Sequence, residues 1–270
     1  MVSGGKIINK VHLYTCGYCI NNLSHVFKGH KKEKRKFPAL VVLIEHNKYG
    51  NILYDTGYSN LVYKNKLLST IYNIANPTYC KDEDTIIEKL KKDNIDIESI
   101  NKIILSHAHP DHIGGLKYIS KYELISTKYV MDTLYNARLK DLVFKNMVPN
   151  HDIKKTIVNS NIENHFLNKY FDKVYDILGD KSIFGIELSG HASGQLGIFL
   201  PQYNTFFAAD AGWGEDLIYK VKDMRFIPRM VQNNFTNYKE TIERLIKLKE
   251  DNKEIEIIYS HGNLKEKIYE

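Results

Sequence analysis

The chain has 270 residues, 43% of them hydrophobic and 26% charged, which suits a sizeable globular core and excludes fibrous and wholly disordered classes. Its formal net charge is +6, from 38 Lys+Arg against 32 Asp+Glu, a mild bias toward anionic partners. The longest apolar runs, such as 40–44, are too short to span a bilayer, and Met1-Val2-Ser3-Gly4-Gly5-Lys6 lacks the apolar stretch of a secretion signal, so a cytoplasmic protein is expected.

Residues 6–14 alternate apolar and polar and predict a strand. Residues 16–37 read as a polar loop of the kind that rims a site. It carries a basic cluster, Lys28, Lys31, Lys32, Lys34, Arg35 and Lys36, read mainly as solvated surface. It also carries Cys16-Gly17-Tyr18-Cys19, a C-x-x-C. A redox pair or half of a zinc site is one reading; no second C-x-x-C completes such a site, and two reduced cysteines in a turn are favoured. With Cys80 the total is three, which makes no disulfide framework.

Residues 39–45 and 51–54 predict a hairpin that ends in Asp55-Thr56-Gly57. Residues 58–75 read as mostly helical, with Pro77 as a stop, and 84–93 as a helix capped by Asp84. An apolar strand at 100–105 delivers the stretch Ser106 to Gly115, followed by a helix at 113–121 and a short strand at 123–126. Residues 127–168 begin as an amphipathic helix and become rich in Asn and Lys; they read as an insertion near the site within a single domain spanning 1–270. Strands return at 173–177 and 183–188, and a hairpin at 196–200 and 205–208 ends in Ala209-Asp210. A helix at 238–250, capped by Asn237 with Glu240 reaching back, precedes a last strand at 254–259. Strands, then strand–helix units, then strands again predict an α/β fold: an αββα sandwich of two mixed sheets packed face to face with helices outside.

The densest chemistry is His107-Ala108-His109-Pro110-Asp111-His112. Neutral imidazoles and a carboxylate suit Zn²⁺ and similar divalent ions. On a helix His107 and His109 would point to different faces, whereas on a tight loop after a strand they can converge. Three later strands each end in a loop with another candidate: His191, Asp210 and His261. Each alone is weak; together they supply what the first loop lacks. His12, His25, His30, His46, His151 and His165 have no such context, although the loop holding His25 and His30 could face the site.

This combination (H-x-H-x-D-H, a later Gly-His, Ala-Asp and Ser-His-Gly, and the earlier Asp-Thr-Gly) resembles the metallo-β-lactamase superfamily over about residues 6–262. Within it the chain most resembles the N-acyl homoserine lactone lactonases, through Gly17-Tyr18-Cys19, Phe37-Pro38-Ala39, Asp55-Thr56-Gly57 and its length. The resemblance implies two divalent metal ions, zinc first, with manganese, iron or cobalt as other candidates. One would be held by His107, His109 and His191, the other by Asp111, His112 and His261, with Asp210 bridging; Asp55 would orient the histidine loop by hydrogen bonding. It implies opening of a lactone or carboxylic ester by a metal-bridging hydroxide, with Asp111 assisting proton transfer. The expected partner is a small ester or lactone, with no membrane and no nucleic acid. The lactonases carry a tyrosine three residues after the bridging Asp; here stands Trp213, which reads as a pocket wall or as an indole donor to substrate. A thioesterase of the glyoxalase II kind is the nearest alternative, then a phosphodiesterase or nuclease, with a non-enzymatic metal-binding module last.

Overall fold

In the computed structural model, which describes residues 6–64, 66–138 and 141–270, the apolar run at 40–44 lies within β2 (Lys34–His46). The run is continuous because both faces of the strand are covered. Leu40, Val42 and Ile44 face one core, while Ala39, Val41 and Leu43 face another. β2 pairs antiparallel with β1 (Ile8–Asn22) and β3 (Gly50–Tyr54). The sheet then continues in parallel through β5 (Ile100–Ile104), β6 (Glu123–Ser126) and β7 (Lys154–Ile157). At the other side β1 also pairs with the short β4 (Thr78–Tyr79) and with β13 (Lys267–Tyr269).

The second sheet has the order β12 (Glu256–Ile258), β11 (Thr205–Phe207), β10 (Leu196–Leu200), β9 (Phe184–Glu187), β8 (Val174–Asp176). Only β11 and β12 are parallel, so this sheet is mixed like the first. Ile52, Tyr54 and Ile104 from one sheet meet Ile198, Phe207 and Ile258 from the other in the central core. Tyr54 donates its hydroxyl to Leu196 O at 2.8 Å, tying the two sheets together.

Helices close the outer faces. α1 (Leu23–Val26) follows β1, and α2 (Lys66–Ala75), α3 (Ile86–Lys92), α4 (Pro110–Ile113) and α5 (Lys128–Asn136) belong to the first sheet's side. α6 (Phe226–Val231) and α7 (Phe235–Asp251) follow β11, and α7 covers the second sheet with Tyr238, Ile242, Leu245 and Leu248. The predicted αββα sandwich is the observed fold.

Several boundaries differ. The expected loop at 16–37 is largely strand: β1 runs on to Asn22 and β2 starts at Lys34, so the basic residues lie on a long hairpin arm. Cys16 and Cys19 therefore sit in a strand, at the irregularity where Gly17 takes φ +78°, and not in a turn. The helix at 86–92 is capped by Thr85, whose side chain accepts from Glu88 N, in place of Asp84. α7 begins at Phe235 under Asn234, not Asn237, because Asn233 N and Asn234 N are held by His191 O and Gly190 O. Residues 127–168 give α5 and β7, and β7 extends the first sheet.

Candidate metal centre

Four strands stop at one end of the sandwich, and a buried polar side chain follows each of them there. β3 ends at Asp55, β5 at Ser106 and His107, β11 two residues before Ala209-Asp210, and β12 before Ser260-His261. Asp55 and Ala209 adopt left-handed backbone, φ +61° and +47°. For non-glycine residues this costs roughly 1–2 kcal/mol each, strain of the sort that collects at functional sites. α4 is seated against the Asp55-Thr56-Gly57 turn. Gly114 N donates to Gly57 O at 2.8 Å, and a Cβ on Gly114 would lie 2.5 Å from that same oxygen. Only glycine allows this approach, which fixes Asp111 and His112 one turn away.

The six candidate ligands from the histidine loop and the later strands come together with Asp210. His107, His109, His191 and Asp210 each offer one ligand atom within 4.8 Å of the others; Asp111, His112, Asp210 and His261 do the same. His107 Nε2 and His191 Nε2 both lie 3.0 Å from His109 Nδ1. His261 Nε2 is 2.9 Å from Asp210 Oδ2 and 3.4 Å from Asp111 Oδ2, and His112 Nε2 is 3.3 Å from Asp210 Oδ1. All are buried except His109, which is partly exposed.

The hydrogen-bond partners behind the rings determine what faces inward. His112 Nδ1 donates to Asp55 Oδ2 at 2.7 Å, and His261 Nδ1 to Pro38 O at 2.7 Å. His191 Nδ1 donates to Gln232 Oε1 at 2.8 Å, and that amide's orientation is set because its Nε2 donates to Pro228 O. Ser106 spends its hydroxyl proton on Asp55 Oδ2, so its Oγ accepts from His107 Nδ1 at 3.0 Å. With Nδ1 protonated in each neutral ring, the Nε2 lone pairs of His107, His112, His191 and His261 all point into the centre. His112 Nε2 and Asp210 Oδ1 have no hydrogen-bond partner of their own. Lone pairs and carboxylates gathered in a buried space repel one another unless a cation lies among them. The donor set fits divalent metal ions.

The electrostatics agree. Burial, reinforced by the facing His112 and His109 rings, holds the His107 imidazole well below its usual range. Burial also opposes charge on His261, but Asp210 and Asp111 overcome it and push its pKa up to about 9. Asp210 is held well below the usual carboxylate range: burial acts against this, and His261 and His112 outweigh it.

Two cavities reach the centre. A cleft of about 610 Å³ borders His107, His109 and His191, with Tyr129, Arg138 and Asn233 among its walls. A narrower cavity of about 60 Å³ reaches Asp111, Asp210 and His261 and is walled by Cys19, Phe37, Tyr58, Tyr72 and Trp213. Trp213 stands edge-on to Phe37 with centroids 6.1 Å apart. Tyr58 and Tyr72 share a hydroxyl–hydroxyl hydrogen bond of 2.9 Å. Sequence reasoning missed Tyr58, Tyr72 and Gln232, none of which has a local signature. His25 and His30 do not line either cavity among the described residues; His12 pairs with Glu45 and His46 with Ser182 and Asp180. Cys16, Cys19 and Cys80 are free and buried, and burial raises their thiol pKa values, the opposite of a reactive pair.

An αββα sandwich that carries buried His and Asp clusters at the ends of its strands defines a metal-dependent hydrolase. The chain belongs to the metallo-β-lactamase superfamily, whose profile matches residues 35–261. Its fold is similar to that of a solved N-acyl homoserine lactone hydrolase with N-hexanoyl-L-homoserine at its catalytic metal centre (TM-score 0.72, 18% identity, 96% of this chain and 95% of that one). It is also similar to AidC, described as a dizinc quorum-quenching lactonase (0.64, 17%, 96% and 90%). A probable metal-dependent hydrolase from Staphylococcus aureus gives 0.68 at 13% identity, over 96% and 91% of the two chains. At such identities the likeness concerns the fold alone. No curated protein matches the chain in sequence.

Proposed function

We propose that this chain hydrolyses a lactone or carboxylic ester with two divalent cations, zinc first among them. His107, His109 and His191 would hold one, Asp111, His112 and His261 the other, with Asp210 shared. The observation that carries this reading is the presence of Asp210 in both ligand clusters, with Oδ1 toward His112 and Oδ2 toward His261 and His191. Two such cations supply a water of lowered pKa and Lewis-acid polarisation of a carbonyl.

The chain's own residues do the rest. Asp55, Pro38 O and Gln232 fix the tautomers and directions of His112, His261 and His191. Asp111 Oδ2 faces His112 Nε2 at 3.5 Å and His261 Nε2 at 3.4 Å, which leaves Oδ1 to take the proton released when water adds to the carbonyl and to return it to the leaving alkoxide. Phe37, Trp213 and the Tyr58–Tyr72 pair give the narrow cavity an apolar wall with few donors, suited to a substrate's hydrocarbon part. Trp213 is the residue to select among substrates there, as wall and through its indole N–H.

The test is metal analysis of the purified protein followed by a panel of lactones, thioesters, aryl esters and bis-p-nitrophenyl phosphate. The reading expects two equivalents of metal and the highest kcat/KM on a lactone or ester. Turnover of the phosphodiester alone, or one equivalent of metal at full activity, overturns it.

A further inference from the structure

Two helices beside the centre present apolar residues to solvent in an ordered way. α2 exposes Leu67, Ile71 and Ile74 by 75%, 55% and 78%, at the i, i+4, i+7 spacing of a single stripe. α6 exposes Phe226, Ile227 and Met230 by 74%, 71% and 68%. Single exposed apolar residues are ordinary on any protein; six large ones arranged on two short helices are not. Both helices border the narrow cavity. Tyr72 projects into it from the other side of α2, and Val231, at the end of α6, lines it too. The apolar stripes therefore flank the approach to the metal centre.

α6 is bonded to the basic hairpin arm. Arg225 N donates to Val26 O at 2.7 Å, Arg225 Nε to Ser24 O at 2.8 Å, and Lys28 N to Asp223 O at 2.8 Å. Lys28, Lys31, Lys32, Lys34 and Lys36, all exposed, thus belong to an arm that is tied through Ser24, Val26 and Lys28 to the start of α6. Arg35 differs from them, since its guanidinium is engaged bidentately by Asp216.

We propose that α2, α6 and this lysine arm form a docking face for the surface of an anionic lipid bilayer, with the cavity mouth turned toward the headgroups. Apolar side chains enter the interfacial layer while neighbouring lysines meet anionic headgroups, the arrangement by which peripheral proteins lie on a membrane without crossing it. No described helix is long and apolar enough to cross one, so a surface contact is the available mode. The lysines favour a bilayer over a second copy of this chain. A two-fold dimer through this face would bring one lysine arm close to another, whereas anionic lipid complements them. The contact is independent of which bond the centre hydrolyses.

The experiment is co-sedimentation of the metal-loaded protein with vesicles of phosphatidylcholine alone, or of phosphatidylcholine mixed with phosphatidylglycerol, at low and high salt. Wild type is expected to pellet with the mixed vesicles and to be released by salt. Phe226→Ser with Ile227→Ser, and separately Ile71→Ser with Ile74→Ser, should each weaken binding by at least about tenfold. Lys31→Glu with Lys32→Glu should abolish the preference for phosphatidylglycerol. Metal content and circular dichroism of each variant should match wild type, which separates lost docking from lost folding. Equal pelleting with neutral and anionic vesicles, no pelleting with either, or wild-type binding by the folded variants overturns the proposal. So does a dimer in sedimentation velocity that the same serine substitutions dissolve, which gives the face to a second copy.

Discussion

Asp55→Asn is the sharpest probe of how the centre is held. The Asp55 carboxylate is fully buried and accepts three hydrogen bonds: from Ser106 N at 2.8 Å on Oδ1, and from Ser106 Oγ and His112 Nδ1, both at 2.7 Å, on Oδ2. An amide of the same shape keeps one acceptor oxygen. If that oxygen takes the Oδ2 place, the new NH₂ abuts the Ser106 N–H. If it takes the Oδ1 place, the NH₂ faces His112 Nδ1 and pushes that ring into the other tautomer, with its Nε2 lone pair gone. An unsatisfied buried donor costs roughly 1–3 kcal/mol, and partners of metal ligands are typically worth about 10–100-fold in metal affinity. Titrating the apoprotein with Zn²⁺ against a chromophoric chelator should show one of two equivalents weakened by about 10–100-fold, the one that depends on His112. The other equivalent should change less, because His107 reaches Asp55 only through Ser106. Wild-type affinity for both equivalents in a folded variant refutes the reasoning.

Gln232→Leu strands the His191 Nδ1–H and should weaken the other equivalent by about 10–100-fold, while Gln232→Glu, which keeps an acceptor, should retain most of it; the same titration reads both. Gly114→Ala places a Cβ 2.5 Å from Gly57 O and 2.6 Å from Ser59 N, backbone atoms that cannot step aside. It should destabilise the fold by about 2–3 kcal/mol, seen as a thermal midpoint lowered by roughly 5–10 °C. Glu123 is held down to about 2: burial opposes this, while hydrogen bonds from Lys102, Thr156 and Lys154 outweigh it. A depressed carboxylate stabilises the fold above its unfolded pKa and loses that effect as pH falls toward the folded one. Glu123→Gln should therefore melt lower than wild type at neutral pH, and the gap should close between pH 4.5 and about 2; a gap that stays constant over that range contradicts the assignment.

What was readable in the sequence follows from how local each signal is. The candidate metal ligands stand out in the sequence because four of them fall within six residues and the other three each follow an apolar strand. The sandwich was legible because the strands that build its central core keep their pattern. β1 beyond Thr15 was not. Its register with β2 shifts between Thr15 and Tyr18, where Gly17 has positive φ, so the two-residue period breaks and Cys19 to Asn22 read as loop. Lys34 to Lys36 were hidden for a related reason: they pair with Ile20 to Asn22 at the end of the hairpin, so nothing apolar marks them as strand. The start of α7 depended on Gly190 and His191, which hold Asn234 and Asn233 from a loop more than forty residues away.

The residues that orient the ligands divide along the same line. Asp55 could be anticipated, but only through the family resemblance carried by Asp55-Thr56-Gly57. Pro38 could not, because His261 donates to its backbone carbonyl, and a carbonyl is the same whatever residue carries it. Gln232 could not either; it reaches His191 from the end of a six-residue helix whose own pattern is apolar and exposed. That helix joins two features that look separate in sequence, since the segment that exposes Phe226 and Ile227 to solvent also places the amide that fixes the tautomer of His191.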